Sequence, residues 1–188
     1  MLEKTSSRIL HPGSKQEKKV ILIAIALSCF ILLADQITKA IIEKYVTNPI
    51  VVIPDFFNIV KVGNMGAAWG MFQDYTWILL AISVSFFLGV LIFFRSITEG
   101  YTERYFGVAL VLGGILGNST DRIWRSGKVV DFLDFNLHFM RWPAFNVADS
   151  AICIGVGIFI LSSLFTSPKN EDVSIPTEEE NHLLNAQQ

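Results

Sequence analysis

Asn146-Val147-Ala148-Asp149-Ser150-Ala151-Ile152-Cys153 opens a stretch that continues, almost wholly apolar, to Phe165. That is close to the roughly 20 residues a helix needs to cross a bilayer. Asp149 stands at its head. A carboxylate in such surroundings costs about 2.5–3.5 kcal/mol at mid-membrane, so its presence points to function. Eighteen residues earlier, Asp131 sits in Val129-Val130-Asp131-Phe132, an equally apolar setting. Two acids in apolar surroundings, both able to reach one membrane face, suggest a carboxyl pair that handles a proton.

The rest of the chain agrees with a membrane setting. Its 188 residues are 52% apolar, and the mean hydropathy is +0.47. An ordinary soluble domain of this size is less hydrophobic. Length gives one domain. The net charge of −2 hides an uneven distribution, with bases gathered before residue 20 and acids after Phe165, and nothing resembles a nucleic-acid footprint. Cys29 and Cys153 both fall in apolar runs and read as small buried hydrophobes. Two thiols and three scattered histidines offer no metal-ligand spacing, so neither a metal nor another cofactor is expected.

Four apolar segments are spaced along the chain: Val20 to Ala34, continuing toward Ile42; Tyr75 to Phe94; Tyr105 to about Ile123; and Val147 to Phe165. The expected fold is an α-helical membrane protein, a four-transmembrane-helix bundle over residues 20–165. A basic cytoplasmic segment, 1–19, precedes it, and a disordered acidic cytoplasmic tail, 166–188, follows. Between the first two helices, Pro49, Pro54 and the alternation Phe57-Asn58-Ile59-Val60-Lys61-Val62 favour short strands. Val129 to Met140 reads similarly. The strands predict a small sheet at the membrane surface. Lys15, Lys18 and Lys19 before the first helix place the N-terminus in the cytoplasm. Asp35, Asn64, Asn118, Asp121, Arg122, Asp131, Asn146 and Asp149 then all fall on the opposite, outer face.

Each constellation has a plain reading beside a functional one. Asp35 and Lys39, four apart, can form a helix-end salt bridge or support a site or lipid headgroup. Asn64-Met65-Gly66-Ala67-Ala68-Trp69-Gly70 is either a simple turn or a loop whose glycines let backbone approach a ligand, with Trp69 as a cover. Gly113 and Gly117 allow a close helix approach. Asn118, Asp121 and Arg122 then present amide, acid and guanidinium on one face. Asn146 and Asp149 have the spacing of an N-cap and its third residue, so the plain role for Asp149 is to complement the helix dipole. A serine–lysine protease built from Ser119, Ser126 or Ser150 with Lys128 is the weaker alternative, because Lys128 lacks an apolar pocket.

Taken in order, Asp35-Gln-Ile-Thr-Lys39, Asn64-Met-Gly-Ala-Ala-Trp-Gly70, Gly113-Gly-Ile-Leu-Gly-Asn-Ser-Thr-Asp-Arg122, Val130-Asp131-Phe132 and Phe145-Asn-Val-Ala-Asp149-Ser150 resemble the lipoprotein signal peptidase family (signal peptidase II), bacterial inner-membrane aspartyl proteases. The resemblance covers about residues 20–165. It implies Asp131 and Asp149 as the catalytic dyad. It implies supporting or binding roles for Asp35, Lys39, Asn64, Gly66, Asn118, Arg122 and Asn146, to which the helix-face reading adds Asp121. The implied substrate is a diacylglyceryl-modified prolipoprotein, cut before its lipidated cysteine. A monomer in the bacterial inner membrane, its site near the periplasmic face and open to globomycin-type peptide inhibitors, is the expected form. Trp69 stands where the family commonly has phenylalanine. The competing classes are a proton-coupled carrier, which needs acids at several depths, and a lipid-binding scaffold, which needs no paired aspartates.

Overall fold

The computed structural model describes residues 9–66, 71 and 75–165. Its elements are α1 (Lys15–Tyr45), β1 (Ile50–Ile53), β2 (Phe57–Asn64), α2 (Thr76–Ile92), α3 (Phe94–Thr98), α4 (Thr102–Trp124), β3 (Val129–Phe135) and α5 (Val147–Phe165). Trp69, residues 1–8 and the acidic stretch 166–188 lie outside the described residues.

α4 is the centre of the bundle, packed against α1, α5 and α2. Thirteen of its residues are buried, whereas α2 buries Thr76 and Val90 alone. The sequence explains the close approach. A Cβ on Gly117 would lie 2.6 Å from Asp35 Oδ2, and one on Gly114 would collide with the Ala148 carbonyl. Only glycine lets α1 and the start of α5 come this near to α4 at the level of the acids. The outer faces are apolar: Leu22, Phe30, Leu33, Phe86, Ile92, Leu164 and Phe165 are all exposed. α1 and α5 are each long and apolar enough to cross a membrane. α2, at 17 residues, is apolar but shorter, and α4 carries Glu103, Arg104, Asp121 and Arg122 toward its ends.

Three features depart from the sequence reading. The second apolar segment is not one helix but α2 followed by the short α3, divided at Phe93. The basic stretch is ordered from residue 9: Ile9 bridges to Tyr101, Leu10 packs against Ala24, Tyr105 and Ala109, and α1 begins five residues ahead of Val20. Ser14 caps that start, accepting from the Glu17 amide at 3.0 Å. Cys29 and Cys153 are exposed rather than buried. Apolar character marks burial only where the surroundings are water; on a bundle with an apolar outer face it marks either side equally.

The three strands form one antiparallel sheet in the order β1-β2-β3. Asp131 pairs with Val62 and Val129 with Asn64, after a register irregularity between Ile59 and Val62. After β3 the chain turns at His138, in the left-handed region, and returns along the strand, with Asn136 bridged to Arg141 and Leu133 to Phe145. That return delivers Asn146 to the head of α5 beside Asp131.

Candidate active site

Asp131 and Asp149 reach one place from different elements. Asp131 is on β3 and Asp149 is the third residue of α5. Asn146 joins them. Its side-chain amide donates to Asp131 Oδ1 at 2.7 Å, and its backbone N–H donates to Asp149 Oδ2 at 3.2 Å. The side-chain carbonyl oxygen of Asn146 accepts from the Asp149 amide at 3.0 Å. The N-cap reading of this pair is therefore realised, as a reciprocal capping box. Capping uses Asp149 Oδ2. The other oxygen, Oδ1, accepts from Asn118 Nδ2 at 2.7 Å. Asp131 Oδ2 accepts from Asn64 Nδ2 at 3.0 Å.

Neither carboxylate has an ion-pair partner among the described residues. Asp131 is 3% exposed, and burial pushes its carboxyl up to about 6. The Asn64 and Asn146 amides oppose that rise, while the nearby Asp149 adds to it.

The two acids line a cavity of about 540 Å³. Asn64, Gly66, Asn118 and Arg122 complete its polar side; Val129, Ile152, Cys153 and the segment 142–145 form an apolar wall. A larger groove of about 830 Å³ runs along α2 and α3, but Trp77, Ile78, Phe86 and their neighbours bring no titratable group to it. The chemistry belongs to the smaller cavity.

Arg122 Nη2 donates to the Gly66 carbonyl at 3.1 Å, which ties the loop after β2 to α4. Its Nε is buried without a hydrogen-bond partner among the described residues. Gly66 enters the site as backbone: its N–H donates to Asn64 Oδ1 at 2.9 Å and so orients the amide that faces Asp131.

Asp35, Lys39 and Asp121 lie behind the cavity, all 0% exposed. The Lys39 ammonium pairs with Asp35 Oδ2 at 2.8 Å and Asp121 Oδ2 at 2.9 Å. The i,i+4 salt bridge expected of Asp35 and Lys39 is present, but deep in the protein, away from any lipid headgroup. Asp121 departs from the expected helix face. It turns from Asn118 and Arg122 toward α1, bonding Lys39, Gln36 at 2.8 Å and Arg125 at 2.6 Å. A buried carboxylate must follow cations, and on that side lie Lys39 and Arg125. Gln36 and Arg125 bond Asp121 outside the cavity lining, and the wall from Trp142 to Phe145 is the part of the site that the motif reading misses. The Trp-Pro dipeptide ahead of the α5 cap is the one signal in the sequence that points to the wall. In the serine–lysine alternative, Ser150 Oγ donates to the Asn146 carbonyl at 2.9 Å, and Lys128 does not line the cavity.

Fold and site together define a helical protein with apolar outer faces and a paired-carboxylate cavity at one end of its helices, the form of a membrane-embedded hydrolase. Residues 27–165 match the family described as Signal peptidase (SPase) II. The chain is 40% identical over 146 residues to the lipoprotein signal peptidase of Brevibacillus brevis, covering 77% of this chain and 96% of that one. It is 42% identical over 138 residues to that of Thermodesulfovibrio yellowstonii, covering 71% and 89%. A solved bacterial membrane enzyme superposes with a TM-score of 0.70 at 34% identity, over 79% of this chain and 92% of that one; a second gives 0.67 at 32% identity, over 77% and 94%. The chain belongs to the signal peptidase II family, peptidases that process lipoproteins.

Proposed function

We propose that this chain is an intramembrane aspartyl endopeptidase that removes signal peptides from diacylglyceryl-modified prolipoproteins, cutting before the lipidated cysteine. One observation carries the assignment of Asp131 and Asp149 as its dyad. Both are bonded to a single residue, Asn146, and both open on the same cavity. In this reading the pair shares one proton, because neighbouring buried carboxylates do not both ionise readily. The ionised partner takes a proton from water, and the protonated partner donates to the scissile carbonyl as the tetrahedral oxyanion forms. Asn118, Asn146 and Asn64 orient the carboxyls. Arg122 holds the loop edge of the cavity through the Gly66 carbonyl, and Asp35, Lys39 and Asp121 support the site from behind.

The cavity's two-sided lining fits the substrate class: a polar side for the peptide bond, and an apolar wall toward which lipid chains extend. The membrane topology we infer has four spans, α1, α2 with α3, α4 and α5. Both termini are cytoplasmic, and the site sits near the periplasmic face of the inner membrane. We infer that the chain acts as a monomer and that a globomycin-type peptide would compete for the same space. A proton-relay carrier fits less well. Between Tyr105 and Asn118, a stretch of about 20 Å of helix, α4 carries no ionisable side chain.

The test is purified protein in liposomes, offered a precursor with and without diacylglyceryl on its cysteine, with products weighed by mass spectrometry. The proposal predicts one cut, directly before the modified cysteine. No cleavage of the lipidated precursor, or a cut elsewhere, contradicts it.

A further inference from the structure

Lys39 is a lysine with no access to solvent, and each donor of its ammonium has an acceptor: Asp35 Oδ2 at 2.8 Å, Asp121 Oδ2 at 2.9 Å and Asn118 Oδ1 at 3.0 Å. A simple buried ion pair needs one carboxylate. Here every acceptor hands on a second contact, and each of those ends at the aspartate pair. Asp35 Oδ1 accepts from the Ala148 amide at 3.0 Å, the residue before Asp149. Asp121 Oδ2 accepts from the Val130 amide at 3.0 Å, the residue before Asp131. Asn118 donates to Asp149 Oδ1 itself at 2.7 Å. Asn118 Oδ1 also accepts from Asn146 Nδ2 at 3.2 Å, so a flip of this amide would set its NH₂ against an ammonium and its oxygen against a carboxylate.

We propose that Lys39 is the positioning residue of the aspartate pair: one buried ammonium clamps three arms that together fix the backbone beside each aspartate and the amide facing Asp149. The proposal rests on the dyad reading above. Lys39 touches no reacting atom. It sets the distance and orientation at which the two carboxyls meet, and a misplacement of about 1 Å at such a site costs orders of magnitude in rate.

The charged groups around the pair are Lys39 and Asp35 from α1, Asp121 and Arg122 from α4, Asp131 from β3 and Asp149 from α5. Removing Lys39 takes away positive charge, which makes Asp131 easier to protonate. The acid limb of the rate–pH profile therefore moves to higher pH, a change that loss of packing alone does not produce.

The experiment uses the full-length chain in liposomes with a lipidated precursor. Lys39→Met is tested alone and with Asp35→Asn, which removes one charge of each sign so that no uncompensated carboxylate remains buried. The expected result for the charge-balanced pair is a folded protein with kcat lowered about 10- to 100-fold, as for lost supporting contacts at other sites. KM stays within about twofold, and the acid limb moves up in Lys39→Met alone, where positive charge is lost without a matching negative one. Lys39→Arg keeps the cation and retains more kcat than Lys39→Met. Added to Asn118→Ala, the Lys39 change costs less than the product of the two separate losses, because both lie on one arm. Arg125→Gln, which removes the other cation on Asp121, leaves kcat unchanged.

The proposal is overturned by a folded charge-balanced variant with kcat like wild type, or by a folded Lys39→Met whose acid limb does not move. Losses that multiply fully with Asn118→Ala overturn it, as does Arg125→Gln losing as much as the Lys39 variants. Asp131→Asn and Asp149→Asn run alongside. If those keep turnover, the dyad reading fails first; if they lose it while the Lys39 variants do not, only the positioning role fails.

Discussion

Strand β3 carries two aspartates three residues apart, and they are opposite in character. Asp131 is 3% exposed and Asp134 is 2% exposed, but Asp131 lies deeper, whereas Asp134 is covered mainly by the solvent-exposed Arg141. Asp134 is gripped by Arg141, Nε to Oδ1 at 2.9 Å and Nη2 to Oδ2 at 2.7 Å, with Asn58 adding a third bond at 3.2 Å. The guanidinium holds the Asp134 carboxyl below the usual carboxylate range. Asp131 receives only neutral amides, and burial pushes it to about 6. A fork-shaped cation fixes the charge of one acid, whereas amides orient the other without fixing its proton. The same rule divides the molecule end to end. Away from the cavity, Glu99 pairs with Arg104 at 2.6 Å. Behind the cavity, Asp35 and Asp121 pair with Lys39. Only Asp131 and Asp149, among the described residues, combine amide partners with an open cavity.

The contrast along β3 breaks most visibly in catalysis. Asp131→Asn is expected to lower cleavage of a lipidated precursor by about 100- to 10,000-fold, the usual worth of a general acid or base. Asp134→Asn, equally shielded from solvent contact and on the same strand, leaves the rate within about threefold. Comparable losses in both would mean that β3 simply tolerates no change.

The glycine contact between α4 and the ion cluster comes next. Gly117→Ala drives a methyl against Asp35 and Ala148. It is expected to destabilise the fold by about 1–3 kcal/mol, read as a lower unfolding temperature in detergent.

The smallest effect sharpens the electrostatic comparison, because the two acids have opposite linkage. The Asp131 pKa is raised by folding, so ionising it costs stability as pH rises through about 6. Asp131→Asn removes that cost and should raise stability at pH 8 by on the order of 3 kcal/mol, read as a higher unfolding temperature, with the gap narrowing as pH falls below about 6. The Asp134 pKa is lowered, so its contribution is present above the unfolded carboxylate range and is lost as pH falls through the folded value. Asp134→Asn should cost below about 1 kcal/mol at pH 8, because Arg141 is 68% exposed and solvent screens the pair. A thermal-unfolding series from pH 2 to pH 8 checks both signs.

Much of this arrangement is legible in the sequence. α5 starts at Val147, where the spacing of Asn146 and Asp149 predicts a capping box, and that box forms. The strands fall where Pro49, Pro54 and the alternation from Phe57 place them. Asp35 and Lys39 pair as their i,i+4 spacing allows. Contacts between distant segments are not legible, because nothing local encodes them. Lys39 reaches Asn118 across 79 positions, and Gln36 reaches Asp121 across 85. Asp121 shows the limit well. Helical spacing puts it beside Asn118 and Arg122, but the position of the cations turns it the other way. The docking of Leu10 beneath Tyr105 and the outward thiols of Cys29 and Cys153 depend on which face meets lipid, and hydropathy along the chain does not carry that information.

The central claim is that Asp131 and Asp149 act as one unit on one proton. Cleavage of a lipidated precursor by Asp131→Asn, Asp149→Asn and the double variant, each shown to be folded, tests it most directly. The account predicts that both single variants fall to the same residual rate and that the double variant falls no further. A single variant near the wild-type rate, or a double variant whose loss is the product of the two single losses, would contradict it.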